Sequence, residues 1–223
     1  MPIAIGDIHG CLAPLKALVA QLPPGEELVF LGDYVDRGPD SALVIRFLKE
    51  LGQRRPCRFL MGNHEWLMLS AIVDDGAISA WLMNGGNTTL ASYGEDPGRW
   101  ARSRDRGRFL EADREFIASL PLYWEDDQTI FVHAGIDVDV PDMAAQSPEV
   151  MLWIRDRFFI NAERWQGKEV IFGHTPTMTM GLPMKRVFQS HRFHGIDTGC
   201  VYGGYLTALD SRTHTLYQQP CQD

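Results

Sequence analysis

The chain has 223 residues, enough for one domain or for one domain carrying a large insertion. Hydrophobic residues make up 45%, sufficient for a sizeable core, and the formal net charge is -8. This balance excludes a general binder of nucleic acid or of anionic membranes, which needs a basic face, but leaves room for a local phosphate site built around metal ions.

Taken in order, Met1-Pro2-Ile3-Ala4-Ile5-Gly6-Asp7 has neither a basic region nor an apolar signal core, and no later run approaches the roughly 20 apolar residues of a membrane span. A cytoplasmic protein is expected. Residues 2–6 read as a strand, Gly6-Asp7-Ile8-His9-Gly10 as a loop, and Leu12 to Leu22 as a helix stopped by Pro23-Pro24-Gly25. A second apolar strand, Glu27 to Leu31, leads into Gly32-Asp33-Tyr34-Val35-Asp36-Arg37-Gly38, and Ser41 to Leu51 is a second helix. Cys57 to Met61 is a third strand, Gly62-Asn63-His64-Glu65 the loop after it, and Trp66 to Val73 a helix. Three successive β-loop-α units imply parallel strands whose loops gather on one sheet edge.

From Asp74 to Leu120 strand patterns vanish. Ala77 to Met83, Thr88 to Tyr93 and Phe109 to Leu120 look helical, so residues 74–120 are expected to form a mostly helical cap or insertion within a single domain spanning residues 1–223. Its arginines (Arg99, Arg102, Arg104, Arg106, Arg108) read as a solvated face beside Asp105, Glu111 and Asp113, or as a rim for an anionic substrate. The second half is strand-rich. Thr129 to Val132 leads into His133-Ala134-Gly135, and Glu169 to Phe172 into Gly173-His174-Thr175-Pro176. Lys185 to Phe188, Arg192 to Ile196, Tyr205 to Leu209 and His214 to Tyr217 are further strands, spaced like antiparallel neighbours. Cys11, Cys57, Cys200 and Cys221 show no CxxC spacing and are expected as free, mostly buried thiols.

Asp7, His9, Asp33, Asn63, His133 and His174 each follow a strand, and most lie beside a glycine. Imidazole, carboxylate and amide oxygen suit divalent Mn, Fe or Zn. Six such groups from five loops exceed what one tetrahedral ion needs and point to two metals sharing a carboxylate, an arrangement that clamps both oxygens of a phosphoryl transfer. His191, His194 and His214 lie outside these loops and read as ordinary polar residues.

The series Gly-Asp-Ile-His-Gly, Gly-Asp-Tyr-Val-Asp-Arg-Gly, Gly-Asn-His-Glu, His-Ala-Gly and Gly-His-Thr resembles the calcineurin-like metallophosphoesterases. Within them it is most similar to the bacterial and phage-type phosphoprotein phosphatase (PPP) family, kin of the symmetrical diadenosine tetraphosphatases. The resemblance implies an α/β fold of two mixed β-sheets packed as a sandwich and flanked by helices. It implies two divalent ions, manganese first, with Fe or Zn as alternatives. Asp7 and His9 match ligands of the first ion, Asp33 the bridging carboxylate, and Asn63, His133 and His174 ligands of the second. His64 matches the catalytic acid, Asp36 the carboxylate that orients it, and Arg37 and Arg155 the phosphate-gripping arginines, with Arg157 as a fallback for Arg155. Glu65 is given no role, and Asp197 a structural or supporting one.

The implied reaction is direct attack by metal-activated water on phosphoserine or phosphothreonine in a protein. The alternative substrate is a dinucleoside polyphosphate, for which Trp81, Trp100 or Trp153 could stack a base. A non-catalytic phosphoprotein-binding module is the third reading, and the retention of every ligand and acid position argues against it. No nucleic-acid or membrane partner is expected.

Overall fold

The structure is a computed structural model, and it describes residues 2–221. Strands β1 (Ile3–Ile5), β2 (Leu28–Phe30) and β3 (Cys57–Phe59) run parallel, with α1 (Leu12–Gln21) and α2 (Ser41–Gly52) as their crossovers and α3 (Asn63–Val73) following β3. Residues 74–120 contain α4 (Ile78–Trp81), a π-turn Leu82–Gly86, α5 (Asn87–Ser92), α6 (Pro97–Ala101) and α7 (Arg114–Ala118), and no strand among the described residues. Then come β4 (Tyr123–Glu125), β5 (Thr129–Val132), α8 (Pro148–Trp153), α9 (Asp156–Ile160), β6 (Glu169–Phe172), β7 (Phe188–Ser190), β8 (Phe193–Gly195), β9 (Tyr205–Asp210) and β10 (Leu216–Pro220). Among the described residues, no helix is long and apolar enough to cross a membrane.

Two five-stranded sheets result, in the orders β10-β9-β1-β2-β3 and β4-β5-β6-β8-β7. In the first, β9 closes antiparallel onto β1. In the second, β5, β6 and β8 are parallel while β4 and β7 pair antiparallel at the edges. The period of two along each strand explains the layering. Ala4, Val29 and Leu209 of one sheet meet Phe131 and Ile171 of the other in a shared interlayer. Their neighbours Ile3, Ile5, Leu28 and Phe30 turn outward onto α1, α2 and α3. Ile130, Val132, Val170 and Phe172 turn outward onto α8 and α9 through Met151 and Phe158. The sandwich with helices on both outer faces is the architecture expected.

Two expectations are corrected. Cys200 and Cys221 are joined in a disulfide, with Cα atoms 5.3 Å apart, because the loop after Gly199 returns beside the end of β10. Trp81 and Trp100 are buried, their rings edge-to-face at 5.0 Å, so neither offers a face to an incoming base. Of the insertion's arginines, Arg106 is drawn inward, bonding the Ala71 carbonyl and Asp75, while Arg99, Arg102, Arg104 and Arg108 stay exposed.

Candidate active site

The five motif loops all leave the carboxyl ends of parallel strands: β1, β2 and β3 from the first sheet, β5 and β6 from the second. They therefore meet along one edge of the sandwich. His9, Asp33, Asp36, Arg37 and His174 all have positive φ (46°, 52°, 70°, 67° and 63°), a region that side-chain-bearing residues rarely occupy. Their surroundings hold them there. A Cβ on Gly62 would lie 2.2 Å from the Asp33 nitrogen, so only glycine lets the third loop cross the second this closely. Glu65 fastens the same crossing. Its carboxylate, fully buried, accepts N–H groups from Asp33, Tyr34, Val35 and Gly62 at 2.8 to 3.2 Å. Burial and the Asp33 charge push its carboxyl up to about 8, against the pull of those donors. The sequence reading gave Glu65 no role. Its signal was the position three residues after Gly62, where a carboxylate reaches back to the N-cap of a helix.

Asp33 lies at the centre. One oxygen is 3.4 Å from His9 Nε2 and the other 3.4 Å from His133 Nε2. His9 Nδ1 faces the Val35 carbonyl at 2.9 Å, and His133 Nδ1 faces that of Leu31 at 2.9 Å. Each carbonyl accepts the Nδ1–H of the neutral ring and leaves an Nε2 lone pair aimed inward, the arrangement that fixes a ligating imidazole. Asn63 Oδ1 lies 2.9 Å from His133 Nε2 and 3.0 Å from His174 Nδ1. Asp7 accepts the His174 backbone N–H at 3.0 and 3.1 Å. All six predicted ligands are buried and converge here.

The residues fit divalent ions. Two groups of donor atoms, on His9, Asp33 and His64 and on Asp33, His133 and His174, each lie within 4.8 Å of one another and share Asp33. His174 Nε2 is buried with no partner among the described residues. Burial, then the charges of Asp197 and Asp33, push Asp7 well above the usual carboxylate range, a repulsion that a cation relieves. Burial also drives His9 and His174 well below the usual imidazole range, the neutral form a metal needs. Against His9 Nε2 stands one cation, the Arg37 guanidinium at 2.5 Å.

His64 Nδ1 bonds Asp36 Oδ2 at 2.7 Å, and Asp36 is clamped from the other side by Trp81 Nε1 at 3.0 Å and Thr89 Oγ1 at 2.7 Å. Burial pushes Asp36 up to about 8 and His64 down to about 4. The sequence suggests Trp81 only as a stacking face for a base and gives Thr89 no role; the fold of the insertion carries both onto Asp36. Arg155 is exposed, and its guanidinium donates to the His174 carbonyl and Thr175 Oγ1 at 3.4 and 3.3 Å, at the mouth. Arg157 points elsewhere, toward Asp137 at 3.9 Å. Asp197 is buried and accepts the Gly199 N–H at 3.0 Å. Trp153 remains exposed, its ring 6.2 Å from that of His174, and the exposed Tyr202 lies 5.5 Å from the Arg37 guanidinium carbon.

Comparison with known proteins agrees with this geometry. The family model described as "Calcineurin-like phosphoesterase" matches residues 3–181. The chain is 28% identical over 236 residues to the asymmetrical bis(5'-nucleosyl)-tetraphosphatase PrpE of Halalkalibacterium halodurans, covering 92% of this chain and 87% of that protein. It is 30% identical over 214 residues to serine/threonine-protein phosphatase 1 of Salmonella typhimurium, covering 91% and 88%. A crystal structure provisionally assigned as a diadenosine tetraphosphatase superposes over 100% of this chain and 94% of its own, with TM-score 0.68 and 24% identity, a likeness of fold. The metal-ready edge and the matched 3–181 span together place the chain in the calcineurin-like phosphoesterase family, as a metal-binding phosphoester hydrolase.

Proposed function

We propose that the chain removes phosphate from phosphoserine or phosphothreonine in proteins, as a single domain with residues 74–120 as its insertion. The observation that supports this most is the buried His64–Asp36 pair, pinned by Trp81 and Thr89. A seryl alkoxide is a poor leaving group and needs a positioned acid, whereas the phosphate leaving group of a dinucleoside polyphosphate needs far less help. Similarity to the relative named a serine/threonine phosphatase points the same way.

In this reading Asp7, His9 and Asp33 hold one divalent ion and Asp33, Asn63, His133 and His174 a second, with manganese as the first candidate. Such ions neutralise phosphoryl oxygens and bring the pKa of a bound water toward neutrality. Arg37 and Arg155 grip the phosphoryl oxygens from opposite sides of the mouth, where forked guanidinium donors match their geometry. His64 Nε2 passes a proton to the leaving oxygen, Nδ1 being held by Asp36. The negative charge of the bound phosphate offsets the burial that otherwise keeps this imidazole neutral.

A second reading, a dinucleoside tetraphosphate hydrolase, is favoured by Trp153 and Tyr202, two exposed rings flanking the site, and by the relative named a tetraphosphatase. A paired assay separates the two. Manganese-loaded protein receives a phosphothreonine peptide and diadenosine tetraphosphate at matched concentrations. Faster phosphate release from the peptide is expected. Faster nucleotide production transfers the function to the second reading, and its products, two diphosphates or a mono- and a triphosphate, give the cleavage position.

A further inference from the structure

A second cluster of ligating side chains lies at the opposite end of the sandwich. Glu169 opens β6, whereas His174 follows the end of that strand. His194 sits in the middle of β8, paired with Ile171 of β6. His214 lies in the turn between β9 and β10, with φ at 53°. Side chains alternate along a strand, so Glu169 shares the face of Ile171. Ile171 belongs to the interlayer between the sheets, while Phe193, beside His194, packs outward with Phe172 and Phe158. Glu169 and His194 of one sheet thus meet His214 of the other at the interlayer's rim.

Glu169 and His214 share a hydrogen bond, and the spacing of the three side chains also admits a metal ion between them. Glu169 Oε2 is 3.0 Å from His214 Nε2 and 3.7 Å from His194 Nε2, and all three donor atoms lie within 4.8 Å of one another. Ligands at zinc-bond lengths of about 2.0–2.2 Å around a tetrahedral centre stand about 3.3–3.5 Å apart, a value these distances straddle. His194 supplies an independent indication. It is 3% exposed, and its Nε2, the atom facing Glu169, has no hydrogen-bond partner among the described residues. A buried polar atom of this kind costs free energy unless something satisfies it. Glu169 and His214 also line a cavity of about 490 Å³, through which an ion and its water can enter. Ser211 lines it too, and its buried Oγ is likewise without a partner among the described residues. Lys168, on the same wall, is turned away: its ammonium is engaged by Glu125 and the Asp126 carbonyl.

We propose that Glu169, His194 and His214 bind a borderline divalent ion of the zinc class, separate from the catalytic centre, that ties the second sheet to the β9–β10 hairpin. Two imidazoles and one carboxylate favour zinc over magnesium or calcium, which prefer all-oxygen shells. The fourth position opens to the cavity.

The test counts zinc after equilibrium dialysis of chelator-stripped protein, comparing the native chain with His214→Ala and Glu169→Gln. Each variant is expected to retain one zinc fewer per chain and to lose part of the rise in melting temperature that zinc gives the native chain. Manganese-dependent phosphoester turnover is expected to stay the same in all three. Equal zinc counts would overturn the proposal and leave the cluster an ion pair. Loss of turnover in the variants would overturn its separateness from the catalytic centre. Should His214→Ala fail to fold by circular dichroism, the isosteric Glu169→Gln decides alone.

Discussion

Asp33 stands between two groups of candidate ligands: its two oxygens face His9 and His133 at equal 3.4 Å distances, and its backbone is left-handed, with φ at 52°. His64 is the residue whose role is most exposed to test. His64→Asn leaves the six predicted ligands untouched but removes the proposed proton donor, so turnover of an alkyl phosphate should fall by roughly 10²–10⁴-fold. Steady-state rates on a phosphothreonine peptide and on an activated aryl phosphate check it. The aryl ester, whose leaving group needs no acid, should lose much less. An equal loss on both would assign His64 to binding instead. At this scale the sequence was informative because each candidate ligand follows a strand and most stand beside a glycine. Glu65 is marked only by its capping-box position after Gly62; its further bonds to the N–H groups of Asp33, Tyr34 and Val35 depend on the crossing of two loops, which the local pattern does not carry.

The elements that reach the site from a distance are the insertion and the chain end. Trp81, on α4, sends its indole N–H to both oxygens of Asp36 while its ring packs against Trp100. Trp81→Phe keeps most of that packing and leaves a buried carboxylate short of a donor, which should cost about 1–3 kcal/mol of stability. Denaturant unfolding reads the stability. Turnover should fall less than in His64→Asn, since the acid itself remains. The Cys200–Cys221 bridge closes a loop with a sequence separation of 21 and fastens the segment bearing Tyr202 to the end of β10. Loops of this size typically gain about 2–4 kcal/mol from a disulfide. Cys221→Ser should therefore melt at a lower temperature, and added reductant should lower the native chain to match. A native melt indifferent to reductant would argue against the bridge. Neither feature follows from spacing: the cysteines are brought together by the register of β9 and β10, with Tyr205 opposite Pro220, and Trp81 meets Asp36 because the insertion folds over the loop after β2. The same holds for β4: Tyr123–Glu125 is short and only partly buried, and the strand exists through its pairing with β5. Strand limits also moved. Lys185 to Phe188 was expected where Phe188–Ser190 pairs with β8, and His214 to Tyr217 where Leu216–Pro220 pairs with β9. Pairing partners, not local pattern, set those ends.

Across the whole molecule, the three opening β-loop-α units were legible because buried apolar runs separated by glycine and proline mark crossovers plainly, whereas the two-sheet sandwich was implied by the family resemblance. The resulting edge gathers Asp7, Asp33 and Asp197 in a buried space, where burial and the Asp33 charge push Asp7 well up and Asp197 up to about 6, while at Asp33 itself burial is outweighed by His133 and His64, which hold it below the usual carboxylate range. Divalent ions should relieve that repulsion and bind the folded chain alone. Linkage then gives about 2.7 kcal/mol of added stability at a free ion concentration 100 times the dissociation constant. Melting with manganese against melting with chelator reads this directly; coincident melts would speak against ion binding at the edge.

The most direct measurement follows phosphate or nucleotide release as manganese is titrated into chelator-stripped protein, in the native chain and in Asp33→Asn. With both candidate substrates present, turnover in the native chain should start from nothing and level off at two bound ions. Asp33→Asn should bind both ions weakly and stay inactive at the same concentration. Full turnover in chelator, or two tightly held ions in Asp33→Asn, would contradict a hydrolase built around a shared carboxylate.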